Sequence, residues 1–343
     1  MERNRNYDRN CGGCNLKISV GIIALNEEKY IENIMQDVLK QTYPQKNIEL
    51  LLIDGGSTDH TKGIMQSFQK AYEDNFLRII VLDNPRKIQA AGWNVAIKNY
   101  QGEALIRIDA HAHIPSDFIE KNVICLEKGE FVCGGRCPYI SENKSLWSEI
   151  LLEAENAMFG SGISNFRTGN KTSYVKSLCH GAYRREVFDK VGLFNEQLGR
   201  TEDNDMHQRI MEVGYKNFYD ANILSYQYVR PTWKRVLAQK FSNGYWIGRT
   251  TFINPKCIST YYYVPAVFVF VLLASILFAL LGNYVPLVFL GTLYGALQFV
   301  MAGISVIKKK NIAFMIIPVI CFSVHIAYGI GTIKGIAKII DKF

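Results

Sequence analysis

The sequence predicts an α/β domain with a mostly parallel sheet, followed by a region that enters a membrane. Up to about Gln227, apolar strand-like runs alternate with charged helical patterns, as in sheets that helices cover on both faces. From Tyr261 onward the chain is mostly apolar. The mean hydropathy of +0.01 therefore averages two regions of different composition.

Four strands and three helices alternate in the first region. The strands are continuous apolar runs with β-branched residues, and they are predicted at 17–25, 48–54, 77–83 and 103–109. The segments between them have apolar residues at helical spacing. Asn26 is a candidate N-cap of the first helix, and Glu27 and Glu28 suit its first turn.

Each of the four predicted strands ends in polar side chains. Parallel strands bring their carboxyl ends to one rim, and ligands bind at that rim in α/β sheets. A buried core does not require so many carboxylates there. The rim residues are Asn26, Glu27, Glu28, Asp54, Asp83, Asn84 and Asp109.

The last of these strands continues into two histidines. If the chain stays extended, Asp109, His111 and His113 point to one face, because strand side chains alternate. The pattern alone leaves three interpretations open: a metal site, half of a nucleotide site, or polar residues leaving a sheet.

Two further motifs carry carboxylates. "IDGGSTDHT" places Asp54 before a tight turn and a helix, and it is neither a P-loop nor a dinucleotide fingerprint. "GRTEDNDMHQRIMEVGY" gathers Glu202, Asp203 and Asp205 at a predicted helix start. These acids either complement the helix dipole or include a general base.

Charge and cysteine content argue against a nucleic-acid-binding protein and against a disulfide-stabilised one. The net charge is +8, but lysines flanking apolar runs account for much of it, so we expect no nucleic-acid partner. The chain has eight cysteines, which we expect to be reduced thiols in a cytosolic domain. The CxxC pair Cys11 and Cys14 has no partner pair and is interpreted as part of a polar lead-in.

Three apolar runs are each near the ~20 residues that cross a bilayer, at 263–282, 286–307 and 312–333. Residues 261–263 are three tyrosines, which suit a membrane interface. The segment 229–260 contains an amphipathic helix with Trp233, Val236, Leu237 and Phe241 on one face. A buried helix is one interpretation, and an interfacial helix is favoured because a membrane run follows so soon.

The flanking charges predict an orientation. The N-terminal segment is too polar for a signal peptide, and residues 308–310 are three lysines, an inside signal. We therefore expect a multi-pass protein of the cell (inner) membrane with a cytoplasmic catalytic domain. Three full crossings would place Lys334, Lys338 and Lys342 outside. Either the third run is re-entrant or the rule is broken.

The motifs taken together resemble family 2 glycosyltransferases of the GT-A fold. The chain is most similar to the membrane-anchored succinoglycan-type exopolysaccharide glucosyltransferases. The resemblance covers residues 17 to about 215 and rests on six motifs that occur in the family's order: "LNEE", "IDGGSTDHT", "NPRKIQAAGWNVAI", "RIDAHAHIP", "CHGAYRREVFDKVGLFNE" and "TEDNDMHQRI".

We divide the chain accordingly into four parts. They are a lead-in (1–16), a GT-A domain (17–228), an amphipathic interfacial linker (229–260) and a transmembrane region (261–343). The resemblance implies a nucleotide-sugar donor, a divalent metal (Mn²⁺ or Mg²⁺) and inversion at the anomeric carbon.

The resemblance also implies roles for individual residues. The family carries Asp-x-Asp after the fourth strand, and here Asp109 and His111 occupy the two metal-binding positions; imidazole suits Mn²⁺. His113 has no family counterpart and is interpreted as solvated or supporting. Asp203 matches the general base. The remaining implied positions are Glu27, Asp54, Arg86 and Asp109 for the nucleotide sugar, and Glu202 and Asp205 for acceptor contact or support.

The expected activity is inverting transfer of a hexose, with glucose from a UDP-sugar as the expected donor, onto a lipid-linked saccharide. Two enzymatic alternatives stay open, namely transfer to a polyprenyl phosphate and processive polymerisation. A loose match to Gln-x-x-Arg-Trp at "QKFSNGYW" argues against processivity. A membrane scaffold or transport subunit is the alternative from another class, and the intact Asp54, Asp109 and Asp203 argue against it.

Overall fold

The protein is described here from a computed structural model that covers residues 16–142, 145–156, 167 and 169–340. Nearly all of the predicted lead-in, including Cys11 and Cys14, lies outside the described residues. Lys342 also lies outside them.

Eight strands form the main sheet and three short strands form a second one. The main sheet has the order β3-β2-β1-β4-β9-β6-β10-β8, and the second has the order β5-β11-β7. The strands are β1 (Ile18–Ala24), β2 (Ile48–Asp54), β3 (Arg78–Asp83), β4 (Ala104–Asp109), β5 (Ala112–His113), β6 (Val132–Arg136), β7 (Tyr139–Ile140), β8 (Ser173–Val175), β9 (Ala182–Arg184), β10 (Asn217–Leu224) and β11 (Tyr226–Tyr228).

Strands β1 to β4 pair in parallel, whereas β9 pairs antiparallel with both β4 and β6. The predicted mostly parallel α/β sheet is therefore confirmed. The helices of this part are α1 (Ile31–Leu39), α2 (Thr61–Tyr72), α3 (Gln89–Asn99), α4 (Phe118–Glu127), α5 (Leu146–Asn156), α6 (Arg185–Val191) and α7 (Glu202–Glu212).

Each face of the main sheet has its own core. Ile22 and Leu50 belong to the cluster that packs with α1, α2 and α4, and Leu51 and Trp93 belong to the cluster on the α3 face. β2 is buried along its whole length. Its apolar side chains reach both cores, as expected for a central strand of a covered parallel sheet.

The strand register brings the predicted polar ends together. Asp54 lies opposite Ala24 on one side and Asp83 on the other. Asp109 lies opposite Ile23. The carboxyl ends of four neighbouring strands therefore form one rim, as the sequence pattern predicted.

Four long helices follow in the part of the chain that the structure describes. They are α8 (Trp233–Ile253), α9 (Val264–Leu280), α10 (Val285–Lys309) and α11 (Ile317–Ile340). Among the described residues, three helical segments are long and apolar enough to cross a membrane, and they span Thr260–Leu280, Val285–Lys309 and Ile312–Lys338. Large apolar side chains such as Leu280 and Phe289 are exposed on them, which fits a lipid surround.

Helices α8 and α11 pack backbone to backbone through glycines. A Cβ at Gly244 would meet the Tyr328 carbonyl oxygen at 2.0 Å, and one at Gly335 would meet the Tyr245 carbonyl oxygen at 2.1 Å. Gly248 and Gly331 make similar approaches. Small residues four apart on both helices are the usual means of close helix packing in membranes. The segment 229–260 thus contains a helix that packs firmly against a candidate membrane span.

Candidate functional site

The ends of β1 and β2 are locked by their own turns. The buried Asp54 carboxylate accepts hydrogen bonds from the backbone N–H groups of Gly56 (3.1 Å) and Ser57 (3.2 Å). Asn26 adopts φ 56°, a left-handed conformation that asparagine tolerates, and its Oδ1 accepts from the Thr58 N–H at 2.8 Å. These contacts fix the rim at which Glu27 and Asp54 lie.

Asp109 is held by residues that lie outside β4. Its Oδ2 accepts a hydrogen bond from Gln227 Nε2 at 2.7 Å and lies 3.5 Å from His180 Nε2. Burial alone would raise the pKa of Asp109, but the hydrogen bond and positive charge of His180 outweigh it and hold that pKa well below its usual range. Asp109 is therefore a carboxylate at neutral pH.

His111 and His113 turn to different partners. His111 Nδ1 lies 3.3 Å from Glu27 Oε1, so the structure brings together two residues expected at the donor site. His113 Nδ1 lies 2.7 Å from Asp37 Oδ2 and its ring stacks on Tyr226. His113 thus ties β5 to α1 and β11, a supporting role.

Asp203 forms an ion pair with Arg107 of β4, at 2.6 Å between Oδ1 and Nη1. The Arg107 guanidinium is buried between the rings of Trp93 and Phe194, with its centre 4.2 and 4.6 Å from their centroids. Burial raises the pKa of Asp203, and the charge of Arg107 opposes that rise. The strand that ends in Asp109 thus also orients Asp203.

The other two acids of this motif differ from Asp203. Glu202 is buried, and its Oε2 has no hydrogen-bond partner among the described residues. Burial, and then the charge of Asp203, raises the pKa of Glu202 to about 8, so this group is mostly protonated at neutral pH. Asp205 accepts from Arg209 Nε at 2.9 Å and from Asn254 Nδ2 at 2.8 Å, which is a structural role.

Arg86 lies apart from these carboxylates. Its Nη1 pairs with Glu196, whose other oxygen accepts from Asn94 Nδ2 at 2.8 Å. The Arg86 side chain remains 65% exposed. The structure therefore places Arg86 at an exposed pair on the α3 side of the rim.

Two cavities meet at this site. The membrane-side cavity, of about 410 Å³, extends from Asp109 and Asp203 to side chains of the C-terminal helical region, including Tyr262, His325 and Tyr328. The strand-end cavity, of about 610 Å³, is lined by Glu27, His111 and Arg230 among others. Arg200 lines both cavities.

The loop before Asp203 is docked on α8. A Cβ at Gly199 would meet the Trp246 ring at 2.3 Å, so only glycine fits there without movement. Arg200 Nη1 donates to Asn243 Oδ1 at 2.6 Å. Thr201 Oγ1 shares a 2.5 Å hydrogen bond with Thr250 Oγ1. The start of α7, and hence Asp203, is therefore positioned by a helix that itself packs on a candidate membrane span.

Sequence reasoning missed several residues of the site. Arg107 looks in the sequence like a single polar residue in an apolar strand. Because it lies two positions before Asp109, the alternation of strand side chains could have placed both residues on the same face of β4. His180 lies in a motif that the sequence singled out, but no role was assigned to it. It lies beside two thiols, and Cys137, Cys179 and His180 have potential ligand atoms within 4.8 Å of one another. Gln227 gave no signal at all.

Comparison with known protein families decides the family. The model of glycosyl transferase family 2 matches residues 19–192, which are 174 of the 343 residues. The chain belongs to glycosyl transferase family 2. The predicted enzyme class and the GT-A fold are thereby confirmed. The match ends at Gly192, before Asp203.

Two characterised relatives extend the comparison. The chain is 27% identical over 329 residues to the dolichyl N-acetyl-α-D-glucosaminyl phosphate 3-β-D-2,3-diacetamido-2,3-dideoxy-β-D-glucuronosyltransferase of Methanococcus voltae, covering 94% of this chain and 97% of that protein. It is 31% identical over 200 residues to the succinoglycan biosynthesis protein ExoA of Rhizobium meliloti, covering 57% of this chain and 58% of that protein. The first likeness includes the C-terminal helices.

One solved structure shares the fold of this chain along most of its length. The mannosyltransferase PcManGT of Pyrobaculum calidifontis, in complex with GDP-Man and Mn²⁺, matches with a TM-score of 0.62 and 15% identity. The match covers 93% of this chain and 87% of that one. At this identity the likeness concerns the fold alone.

Proposed function

We propose that this protein is an inverting hexosyltransferase that transfers a hexose, with UDP-glucose as the proposed donor, to a lipid-linked saccharide at the cytoplasmic face of the cell membrane. One observation carries the proposal. Asp203 and tyrosines of the candidate membrane region line the same membrane-side cavity. A saccharide on a lipid anchor therefore has a route from the bilayer to the carboxylate.

Asp203 is the proposed general base. A sugar hydroxyl attacks well only if its proton is accepted as the new C–O bond forms, and a positioned carboxylate typically contributes ~10²–10⁴-fold. Burial raises the pKa of Asp203, which makes it a stronger base, while Arg107 at 2.6 Å fixes its direction. Direct attack opposite the leaving group needs only this one carboxylate and inverts the anomeric centre.

Glu202 is proposed to assist without accepting the proton. With its pKa raised to about 8, it is mostly protonated at neutral pH and cannot serve as the base. A neutral carboxyl group beside Asp203 adds no second negative charge to the site. Asp205 acts further away, by joining Arg209 to Asn254.

The donor chemistry of the residues at the strand ends suits a divalent metal. Asp109 offers a carboxylate oxygen and His111 an imidazole nitrogen, with Glu27 3.3 Å from His111; this mixed O and N set suits Mn²⁺. Such an ion supplies neutralisation of the diphosphate that leaves with the nucleoside. Asp109, His111 and Glu27 are the proposed holders of the ion, and Gln227 and His180 orient Asp109.

The donor side of the proposal rests on the rim. Asp54, Glu27 and Arg86 are proposed to contact the nucleoside, because they lie at the ends of neighbouring parallel strands or in the loop that follows. A second donor class is favoured by the relative from Methanococcus voltae, which matches 94% of this chain and whose name specifies a diacetamido-glucuronosyl group. That name also supports a saccharide on a lipid phosphate as the acceptor.

The test is a transfer assay with the full chain in detergent or nanodiscs. UDP-glucose and a nucleotide-activated diacetamido-glucuronate are offered with a prenyl-linked saccharide, and the product is recovered by lipid extraction. Sugar on the lipid-linked saccharide, with inverted configuration, is the expected result. Sugar on a bare prenyl phosphate, or a growing polymer, would select one of the other enzymatic activities. No transfer from a full panel of nucleotide sugars would overturn the proposal.

A further inference from the structure

The cations around the two cavities fall into two groups. Arg107 pairs with Asp203, and Lys240 pairs with Glu155 at 2.6 Å. Arg200 and Arg230, by contrast, form no ion pair with any carboxylate of the described chain. Arg200, Arg230 and Arg235 thus line the strand-end cavity without an ion-paired carboxylate among the described residues, and Arg200 is the one of the three that also lines the membrane-side cavity. Arginines in such an arrangement are typical of anion sites.

Arg200 is held in place by other contacts. One edge of its guanidinium donates to Asn243 Oδ1 at 2.6 Å, and its loop is docked on α8 through Gly199. Arg200 lines both cavities, so it lies at their junction. A side chain anchored in this way loses little further freedom on binding a ligand.

Arg230 supplies a second positive charge next to the first. It directly precedes Pro231, near the start of α8, and lines the strand-end cavity together with Arg200. Burial, and then the charge of Arg230, lowers the pKa of Arg200. Two like charges oppose each other, and a bound anion would relieve that repulsion.

We propose that Arg200 and Arg230 form a phosphate-binding pair at the junction of the two cavities, with a phosphate or diphosphate ester as the ligand. The planar guanidinium fork matches phosphate oxygens in a bidentate manner. This inference rests on the proposed function, since two substrates of that reaction carry such a group. The donor diphosphate would arrive through the strand-end cavity, and the lipid phosphate through the membrane-side cavity.

The experiment measures binding and does not depend on transfer. Full-length protein in detergent is titrated with UDP, GDP and farnesyl phosphate, in EDTA so that a metal does not mask the arginines. The variants are Arg200→Gln, Arg230→Gln and Arg200→Lys. Lys234→Gln is the matched control. Lys234 is an exposed cation in the first turn of α8, close in sequence to Arg230, and it lines neither cavity.

The expected result is a loss of about tenfold or more in affinity for one ligand class in both glutamine variants. Arg200→Lys should recover only part of the loss, and Lys234→Gln should stay within about twofold of wild type. A loss confined to UDP or GDP identifies the donor diphosphate, and a loss confined to farnesyl phosphate identifies the lipid phosphate. Thermal melting of each variant separates this effect from misfolding.

Two results would overturn the proposal that Arg200 and Arg230 form a phosphate-binding pair. Wild-type protein that binds none of the three probes would do so, as would glutamine variants that bind as tightly as wild type. Failure of the proposed function is a separate outcome, because it shows in the transfer assay. If transfer fails but the arginines still govern binding, the phosphate pair stands and the assigned reaction falls.

Discussion

The strand-end side and the membrane side of the site are built in different ways. At the ends of β1 and β2, Asp54 is held by the backbone N–H groups of Gly56 and Ser57 in its own turn, and Asn26 accepts from the backbone N–H of Thr58 in the neighbouring turn. On the membrane side the contacts join distant parts of the chain, as Thr201 does with Thr250 and Lys240 with Glu155. Local turns define the first side, and tertiary packing defines the second.

This difference has a consequence for the C-terminal region. A helix that only tethered an enzyme to the bilayer would have no reason to contact the loop before Asp203. Here α8 contacts that loop at Gly199, Arg200 and Thr201, and it packs through its glycines on α11. We infer that the membrane-facing helices help to set the position of Asp203, in addition to delivering the acceptor.

The largest expected effect comes from Asp203, the proposed base. Asp203→Asn should keep donor binding and lower turnover by ~10²–10⁴-fold, because an amide cannot accept the hydroxyl proton. Donor affinity by titration calorimetry and turnover with the lipid-linked acceptor are the measurements. Asp205→Asn is the comparison, since Asp205 has a structural role. Retention of more than about a tenth of wild-type turnover would exclude Asp203 as the base.

The next effect tests the glycine packing between α8 and α11. Gly244→Ala should reduce transfer by about tenfold or more, because its Cβ would meet the Tyr328 carbonyl oxygen at 2.0 Å and the helices must separate. Gly295→Ala on α10 is the matched control, since a Cβ there meets nothing within 4 Å. Transfer rates in nanodiscs and melting temperatures are compared. Equal behaviour of the two variants would show that the helix contact does not reach the site.

A smaller effect concerns the strand-end side and its metal preference. Because imidazole is a good ligand for Mn²⁺, activity should be several-fold higher with Mn²⁺ than with Mg²⁺. His111→Asp should narrow that ratio towards about one, whereas His113→Asn, which alters the contact to Asp37, should leave it unchanged. Activity is measured across both metals for all three proteins. An unchanged ratio in His111→Asp argues against ligation by His111.

The smallest effect is on stability and its dependence on pH. Glu202 has a folded-state pKa raised to about 8 from an ordinary value of 4.5. Its contribution to the free energy of unfolding is therefore complete below about pH 4.5 and is lost as pH rises through 8. Glu202→Gln stays neutral and should therefore melt at a higher temperature than wild type near pH 8.5, with a smaller difference near pH 5. Melting curves from pH 5 to about 8.5 test this. A constant difference across that range would contradict the raised pKa.

The two sides also differ in how far the sequence could predict them. The alternation of strands and helices predicted the parallel sheet, and the strand ends predicted the rim with Glu27, Asp54 and Asp109, because these features depend on local pattern. The partners of Asp109 could not be read in this way. Gln227 and His180 come from β11 and from the segment before β9, and only the folded sheet brings them to β4.

On the membrane side, even fewer of the contacts could be predicted from the sequence. Apolar length predicted three membrane runs, and the amphipathic pattern predicted a helix after residue 229. Periodicity cannot show that α8 lies against α11 or that Gly199 faces Trp246, because such contacts depend on which helices become neighbours. The glycine pairs Gly244 with Gly248 and Gly331 with Gly335 were the available signal in the sequence.

The contact between Gly199 and Trp246 offers the most direct test of whether α8 positions Asp203. In a double-mutant cycle, Gly199→Ala places a Cβ where it would meet the ring at 2.3 Å, and Trp246→Ala removes the ring. We expect Gly199→Ala to lower kcat by about tenfold with donor affinity unchanged, and Trp246→Ala in the same chain to restore much of the loss. Independent, additive effects of the two substitutions on kcat would contradict the positioning of Asp203 by α8.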